Sequence, residues 1–262
     1  MEMKKILLSV AGFDPSSGAG VLLDLKVFHQ LHFQGMSILT SLTAQNTREV
    51  LKIHCLPSRF LWEQYEILEA DVSFSGIKVG MVGSKENIQI ISKILSRNKN
   101  IPKVIDPVFK SSSGTWLLKK EHIHGYISSI GGKASLLTPN LEEASLISGN
   151  QIKNIEDLKA AAEKIFSQTK IPCYIKGMDI KSKIIDLLYD GAKFYTFENA
   201  RIKKRIHGTG CFLSSSILGF LAKGHPLKKA CLLASQFTHQ AMHKAVRLGK
   251  GQHIIQFPLE KA

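Results

Sequence analysis

Short apolar runs alternate with amphipathic segments through most of the 262-residue chain, and that alternation most narrows what it can fold into. Ile6–Ala11 reads as a buried strand, and Val21–Leu31 follows with Val21, Leu22, Leu25, Phe28 and Leu31 at helical spacing. Strands are then expected at Ser37–Ala44, Gly76–Met81, Val104–Val108, Ser135–Thr138 and Cys173–Ile175, with helices at Phe60–Leu68, Glu86–Leu95 and Asp157–Phe166. Strands separated by helices predict a mainly parallel central sheet with helices on both faces, an α/β fold. Lys183–Tyr189 and Lys193–Phe197 flank Asp190-Gly191, a hairpin signal that predicts an antiparallel edge late in the chain. Two helical patterns follow, about Gly210–Ala222 and Leu227–Val246. With no repeat and no linker-like tract, the simplest organisation is one domain over residues 1–262.

Composition removes several function classes. Hydrophobic residues make up 44% and charged residues 21%, which excludes a disordered chain. Cys55, Cys173, Cys211 and Cys231 show neither C-x-x-C nor zinc spacing, as expected of a reduced interior. The apolar stretch after Lys4-Lys5 is short for a signal peptide, and the uncharged Ile206–Ala222 is broken by glycines and Ser214-Ser215-Ser216. A soluble, cytoplasmic protein with no membrane partner is expected. The net charge is +14, and it is uneven: residues 1–100 hold 11 Lys+Arg against 9 Asp+Glu, residues 101–262 hold 24 against 12. A polyanionic partner is implied. That partner could be nucleic acid, an acidic membrane or a phosphorylated small molecule; the pairs Lys119-Lys120 and Lys228-Lys229 carry no interleaved aromatics, so they read as solvated faces and lend nucleic-acid recognition little support.

The segment richest in chemistry is His207-Gly208-Thr209-Gly210-Cys211 at the mouth of an apolar helix, with Arg201, Lys203, Lys204 and Arg205 just before it. Unpaired amides in a first helical turn, together with the helix dipole, make an anion site. Cys211 in that turn is expected to have a lowered thiol pKa, suited to a base or nucleophile; the plainer reading is a small buried hydrophobe. Ala11-Gly12-Phe13-Asp14-Pro15-Ser16-Ser17-Gly18-Ala19-Gly20 forms a second loop after the first strand. It is neither a P-loop nor G-x-G-x-x-G, yet it lies where open α/β sheets bind ligands. Ala44-Gln45-Asn46-Thr47 ends another strand. In Thr138-Pro139-Asn140-Leu141-Glu142-Glu143 an Asn-x-x-Glu step can hold hydrated Mg²⁺, or can simply start a helix with acidic residues. Lys176-Gly177 puts a cation at a further strand end. His239 and His243 stand four apart on a helix but lack an evident third ligand, so a solvated or interface face is the expectation there.

AGFDPSSGAG (11–20), LTAQNT (42–47), KVGM (78–81), DPV (106–108), TPNLEEA (138–144), KG (176–177) and HGTGC (207–211) together resemble the hydroxymethylpyrimidine/phosphomethylpyrimidine kinases of thiamine biosynthesis, in the ribokinase-like superfamily. The resemblance covers nearly the whole chain and implies a ribokinase-like fold. The implied activity is Mg·ATP-dependent phosphorylation of 4-amino-5-hydroxymethyl-2-methylpyrimidine and then of its monophosphate. It further implies that Gly12, Asp14, Gln45 and Met81 line the pyrimidine pocket, with Gln45 on the aminopyrimidine edge and Met81 on the ring. The amides of Gly208, Gly210 and Cys211 would hold the transferred phosphoryl group, and Cys211 would be the base. Lys176, Asn140 and Thr209 would serve the ATP, while Asp106 and Glu143 would organise Mg²⁺. The expected partners are the aminopyrimidine substrate and a second copy of the chain in a homodimer. Ser17, Leu22, Ser112-Ser113-Gly114 where the family usually has Lys-Ser-Gly (with Lys110 two residues earlier), Met178-Asp179, and Gly249-Lys250-Gly251 depart from the family pattern. A pyridoxal kinase of the same fold, and a non-catalytic pyrimidine-binding regulator, are the alternatives.

Overall fold

A computed structural model describes residues 5–257. In chain order the elements are β1 (Ile6–Phe13), α1 (Gly20–Gln30), β2 (Gln34–Gln45), β3 (Val50–Cys55), α2 (Ser58–Glu69), β4 (Phe74–Val79), α3 (Lys85–Arg97), β5 (Lys103–Ile105), α4 (Ile123–Ile130), β6 (Leu136–Leu137), α5 (Leu141–Ser148), α6 (Ile155–Thr169), β7 (Cys173–Ile180), β8 (Lys183–Tyr189), β9 (Phe194–Ala200), β10 (Ile206–His207), α7 (Thr209–Ala222), α8 (Leu227–His243) and β11 (His253–Ile254). Nine strands form one sheet in the order β3-β2-β1-β4-β5-β6-β7-β8-β9, and β10 pairs with β11 apart from it. The run from β2 to β7 is parallel, and β7, β8 and β9 are antiparallel, as the sequence predicts.

The strand period of two divides the apolar residues between two cores. Leu7, Val104, Leu136, Tyr174 and Leu188 face the layer built from α1, α7 and α8, whereas their neighbours Leu8, Ile105, Leu137, Ile175 and Leu187 face the layer of α2 to α6. Each central strand is therefore apolar on both sides, which is why these runs read as continuous rather than alternating. The hairpin between β8 and β9 is fixed by Asp190, whose Oδ1 accepts from the amides of Ala192 (2.9 Å) and Lys193 (2.8 Å). Gly191 there has φ +100°, and a Cβ would come within 2.4 Å of the Phe166 ring.

Three features differ from the sequence reading. β3 forms a second antiparallel edge on β2; its Leu51 is 83% exposed and Lys52 and His54 interrupt it, so no apolar run marks it. Helices α4 and α5 are only eight residues each, too short for a pattern to stand out. β7 continues to Ile180 through an irregularity between Ile175 and Met178, so the strand carries Lys176 and Gly177 within it rather than ending before them. Among the described residues no helix is long and apolar enough to cross a membrane.

Because β1, β4, β5, β6 and β7 run parallel, their C-terminal ends open on one edge of the sheet. The chain order reverses between β1 and β4, the kind of crevice where α/β sheets place ligands.

Candidate functional site

A cavity of about 680 Å³ lies at that edge. All twelve residues expected at the site line it: Gly12, Asp14, Gln45, Met81, Asp106, Asn140, Glu143, Lys176, Gly208, Thr209, Gly210 and Cys211.

Its floor is the start of α7. Gly208 is the N-cap in a left-handed conformation (φ +80°), and a Cβ there would stand 1.8 Å from the Gly18 carbonyl oxygen. The two glycine-bearing loops thus close on each other with no space for a side chain. Thr209, Gly210 and Cys211 occupy the first turn, where amides have no intrahelical acceptor, and no acidic residue competes for them. Opposite stands Lys176: a Cβ on Gly210 would come within 3.0 Å of its Nζ. A bare glycine backbone therefore lets an anion contact the amides and the ammonium at once.

Lys176 is held by Asp106 (Nζ to Oδ1, 2.6 Å) and by the Thr138 carbonyl (2.7 Å), with the Thr138 hydroxyl donating to the same Asp106 oxygen at 3.1 Å. Burial would lower the lysine pKa, but Asp106 and Glu143 outweigh it and the pKa is raised. Asn140 and Glu143 form a capping box at the start of α5: Asn140 Oδ1 accepts from the Glu143 amide (2.9 Å) and Glu143 Oε2 accepts from the Asn140 amide (2.8 Å). The helix-start reading of Asn-x-x-Glu therefore holds, and the same carboxylate also faces the cavity. Burial pushes Glu143 up to about 8, with Asp106 adding and Lys176 opposing. Two hard, buried carboxylates on the wall of the cavity that holds the anion loop match the way Mg²⁺ is held by one or two carboxylates plus substrate oxygens. Asp106 and Glu143 fit that ion.

The cavity is also lined by the first loop, Gln45 and Met81. Gly12 has room for no side chain, since a Cβ would meet Met81 Sδ at 2.8 Å, and the Ser41 hydroxyl lies against that sulfur (3.5 Å). Gln45 contacts His207 (Nε2 to Nε2, 3.0 Å) and accepts from the Thr43 hydroxyl at 3.3 Å. His207 Nε2 also lies 2.9 Å from Asp14 Oδ2, and its Nδ1 lies 3.2 Å from the Ser112 hydroxyl. His207 is thus the link that joins the first loop, Gln45 and the segment around Ser112, a role its place in HGTGC did not disclose.

Asp14 lines the cavity but spends its oxygens on its own loop. Oδ1 accepts from the Ser16 amide (2.9 Å) and hydroxyl (2.7 Å), and Oδ2 accepts from the Ala19 amide (2.9 Å) beside His207. Burial works to raise this carboxyl, but the bonds from His207 and Ser16 prevail and hold it below its ordinary 3.8. A depressed carboxyl stabilises the fold above pH 3.8, and that stability is lost as pH falls through the lower folded-state value. Urea midpoints measured from pH 6 downward should therefore fall less steeply below about pH 4 for Asp14→Asn than for the unmodified protein. Parallel curves would remove this account of the loop.

Cys211 corrects an expectation. The thiol is not lowered by its helix terminus; burial pushes it up to about 11, with Asp24 and Asp106 adding, while Lys78 and a bond from the Gly20 amide pull it down. Lys78 and Asp24 are themselves fully buried and paired (2.9 Å). Neither figured among the expected site residues. The signal lay in charged residues set within apolar runs, Lys78 between Ile77 and Val79 and Asp24 between Leu23 and Leu25.

The chain is similar over most of its length to several known proteins. The family model described as phosphomethylpyrimidine kinase matches residues 14–256. The chain is 37% identical over 254 residues to a hydroxymethylpyrimidine/phosphomethylpyrimidine kinase of Aquifex aeolicus, covering 96% of this chain and all of that one. Among solved structures, phosphomethylpyrimidine kinase from Clostridium difficile superposes with a TM-score of 0.80 at 33% identity, covering 91% of this chain and 100% of that chain. Pyridoxal kinase from Staphylococcus aureus in complex with AMP-PCP and pyridoxal superposes with a TM-score of 0.88 at 29% identity, covering 97% and 93%.

Proposed function

The chain belongs to the phosphomethylpyrimidine kinase family, and from that premise we propose how its residues carry out the phosphorylation of hydroxymethylpyrimidine in thiamine biosynthesis. It is a phosphotransferase with a ribokinase-like fold. The observation that carries the residue-level reading is one cavity that brings Gly12, Gln45 and Met81 together with an anion loop at Gly208–Cys211 faced by Lys176.

In this reading the aminopyrimidine packs against Met81, with the Gln45 amide on its polar edge. The hydroxymethyl group then points toward Cys211. The Cys211 thiolate takes the hydroxyl proton as the alcohol oxygen forms its bond to the γ-phosphorus of ATP, and the bond from that phosphorus to the ADP oxygen breaks. Charge on the transferred group is met by the amides of Gly208, Gly210 and Cys211 and by the Lys176 ammonium, with no atom needing to move far. Asn140, Thr209 and Lys176 serve the nucleotide. Asp106 and Glu143 would hold Mg²⁺, which neutralises phosphate charge when bound. The monophosphate is the second acceptor. The +14 net charge, concentrated in residues 101–262, supplies a field toward these anions. A single domain, acting in the cytoplasm as a homodimer, completes the proposal.

Likeness to pyridoxal kinase supplies the rival substrate, because pyridoxal also presents a hydroxymethyl group on a heteroaromatic ring. ADP release should be followed with Mg·ATP and each of the pyrimidine alcohol, its monophosphate and pyridoxal. We expect kcat/KM for the pyrimidine alcohol to exceed that for pyridoxal by at least about tenfold, the worth of one well-made hydrogen bond. Preference for pyridoxal would overturn the substrate assignment, and no turnover with any of the three would favour a binding protein.

A further inference from the structure

Beneath the anion loop lies a polar cluster that the mechanism above leaves unused. Asp24 on α1 accepts from the hydroxyls of Ser9 on β1 (2.6 Å) and Ser215 on α7 (2.7 Å), and both of its oxygens accept from Lys78 Nζ on β4 (3.0 and 2.9 Å). All four residues are fully buried. Four hydrogen bonds from three groups saturate the carboxylate. The ammonium, by contrast, has three hydrogens and among the described residues donates only to Asp24, while the lysine forms part of the cavity wall.

Helix geometry says what lies above it. Cys211 and Ser215 are four residues apart on α7, hence one above the other on the same face. With Ser215 tied to Asp24 and Asp24 tied to Lys78, the ammonium sits on the side of the helix from which Cys211 enters the cavity. Gly80 keeps the place open, because a Cβ there would stand 2.9 Å from Lys78 Nζ.

A buried ion pair with well-packed neighbours is weak evidence for stability, since an apolar pair of similar volume often serves the fold as well. Here the pair links the four elements that meet under the reacting groups, which points to a role in the reaction. We propose that Lys78, fixed by Asp24, Ser9 and Ser215, is a positioning residue whose buried ammonium is the counter-charge of the Cys211 thiolate. The inference rests on the reading of Cys211 as the base. It explains how a thiol whose pKa is raised by its surroundings can serve: the charged groups around it are Lys78 on β4, Asp24 on α1, Asp106 after β5 and Lys176 on β7, and Lys78 is the one that most favours its ionised form. Asp24 holds the ammonium charged and in place but screens only part of its field.

The test is the titration of Cys211 itself. Thiolate absorbance against pH, taken as the difference from a Cys211→Ser protein to remove the other three cysteines, should shift upward by at least about one pH unit in Lys78→Met. Turnover of the pyrimidine alcohol should fall about tenfold or more at neutral pH and recover as pH rises, with KM for ATP little changed. Should Lys78→Met fail to fold because it strands a buried carboxylate, the double variant Lys78→Met/Asp24→Asn replaces the pair with neutral groups and serves instead. Its shift should be smaller and in the same direction. A Cys211 titration that is unmoved or lowered in the folded variant overturns the proposal. Full activity in Cys211→Ala would sink the base assignment instead, and the absorbance titration separates the two.

Discussion

Cys211→Ala is expected to lower kcat for the pyrimidine alcohol by about 10²- to 10⁴-fold, the usual contribution of a positioned general base, with KM nearly unchanged. The second phosphorylation should suffer much less. There the attacking atom is a phosphate oxygen that is already largely ionised at neutral pH, so no proton stands between it and the γ-phosphorus. Measuring both acceptors with one variant thus separates the base from the anion loop, because the loop serves both steps and the thiol only one. Equal losses with both acceptors would mean that the alanine disturbs the start of α7, and activity equal to the unmodified protein in the first step would remove Cys211 as base.

Gly208→Ala should be harsher, and for both acceptors. The added carbon would lie 1.8 Å from the Gly18 carbonyl oxygen in a conformation that L-residues rarely adopt, so the backbone must move. Any movement takes the amides of Gly208, Gly210 and Cys211 off the position of the transferring phosphoryl group, and losing one such donor costs roughly 10²- to 10³-fold. A conformational strain of about 1–3 kcal/mol should also lower the unfolding midpoint. The check is kcat with each acceptor beside a urea curve. A variant with normal kcat would show that the contact between the two glycine loops relaxes without consequence.

Much of the scaffold was legible because its physics is local. Ile6–Ala11 and Cys173–Ile175 are apolar without interruption since each strand faces two cores, and Asp190-Gly191 marks its turn by side-chain bonds within four residues. The edge strand β3 was not legible, because one side of it meets solvent and its pattern is polar. In the site, it was the family resemblance carried by motifs such as TPNLEEA (138–144) and HGTGC (207–211) that named the twelve residues the cavity brings together. What stayed hidden was how each is used. Asp14 shows as a polar residue in a ligand loop, yet its bonds to Ser16, Ala19 and His207 depend on residues up to 193 positions away. The direction of the Cys211 shift was hidden for the same reason: a helix terminus is visible in sequence, whereas burial beside Asp24, Lys78 and Asp106 is a product of the tertiary fold.

The small ribbon of β10 and β11 braces the loops on either side of the cavity. His207 pairs with Ile254, and a Cβ on Gly18 would strike both, while the amides of Gly251 and Gln252 bond to Thr47 just beyond Gln45. The loops that line the cavity therefore lean on residues 251–254. The wall behind both reactants is braced by a short ribbon outside the nine-stranded sheet, so the shape of the cavity depends on segments far apart in the chain.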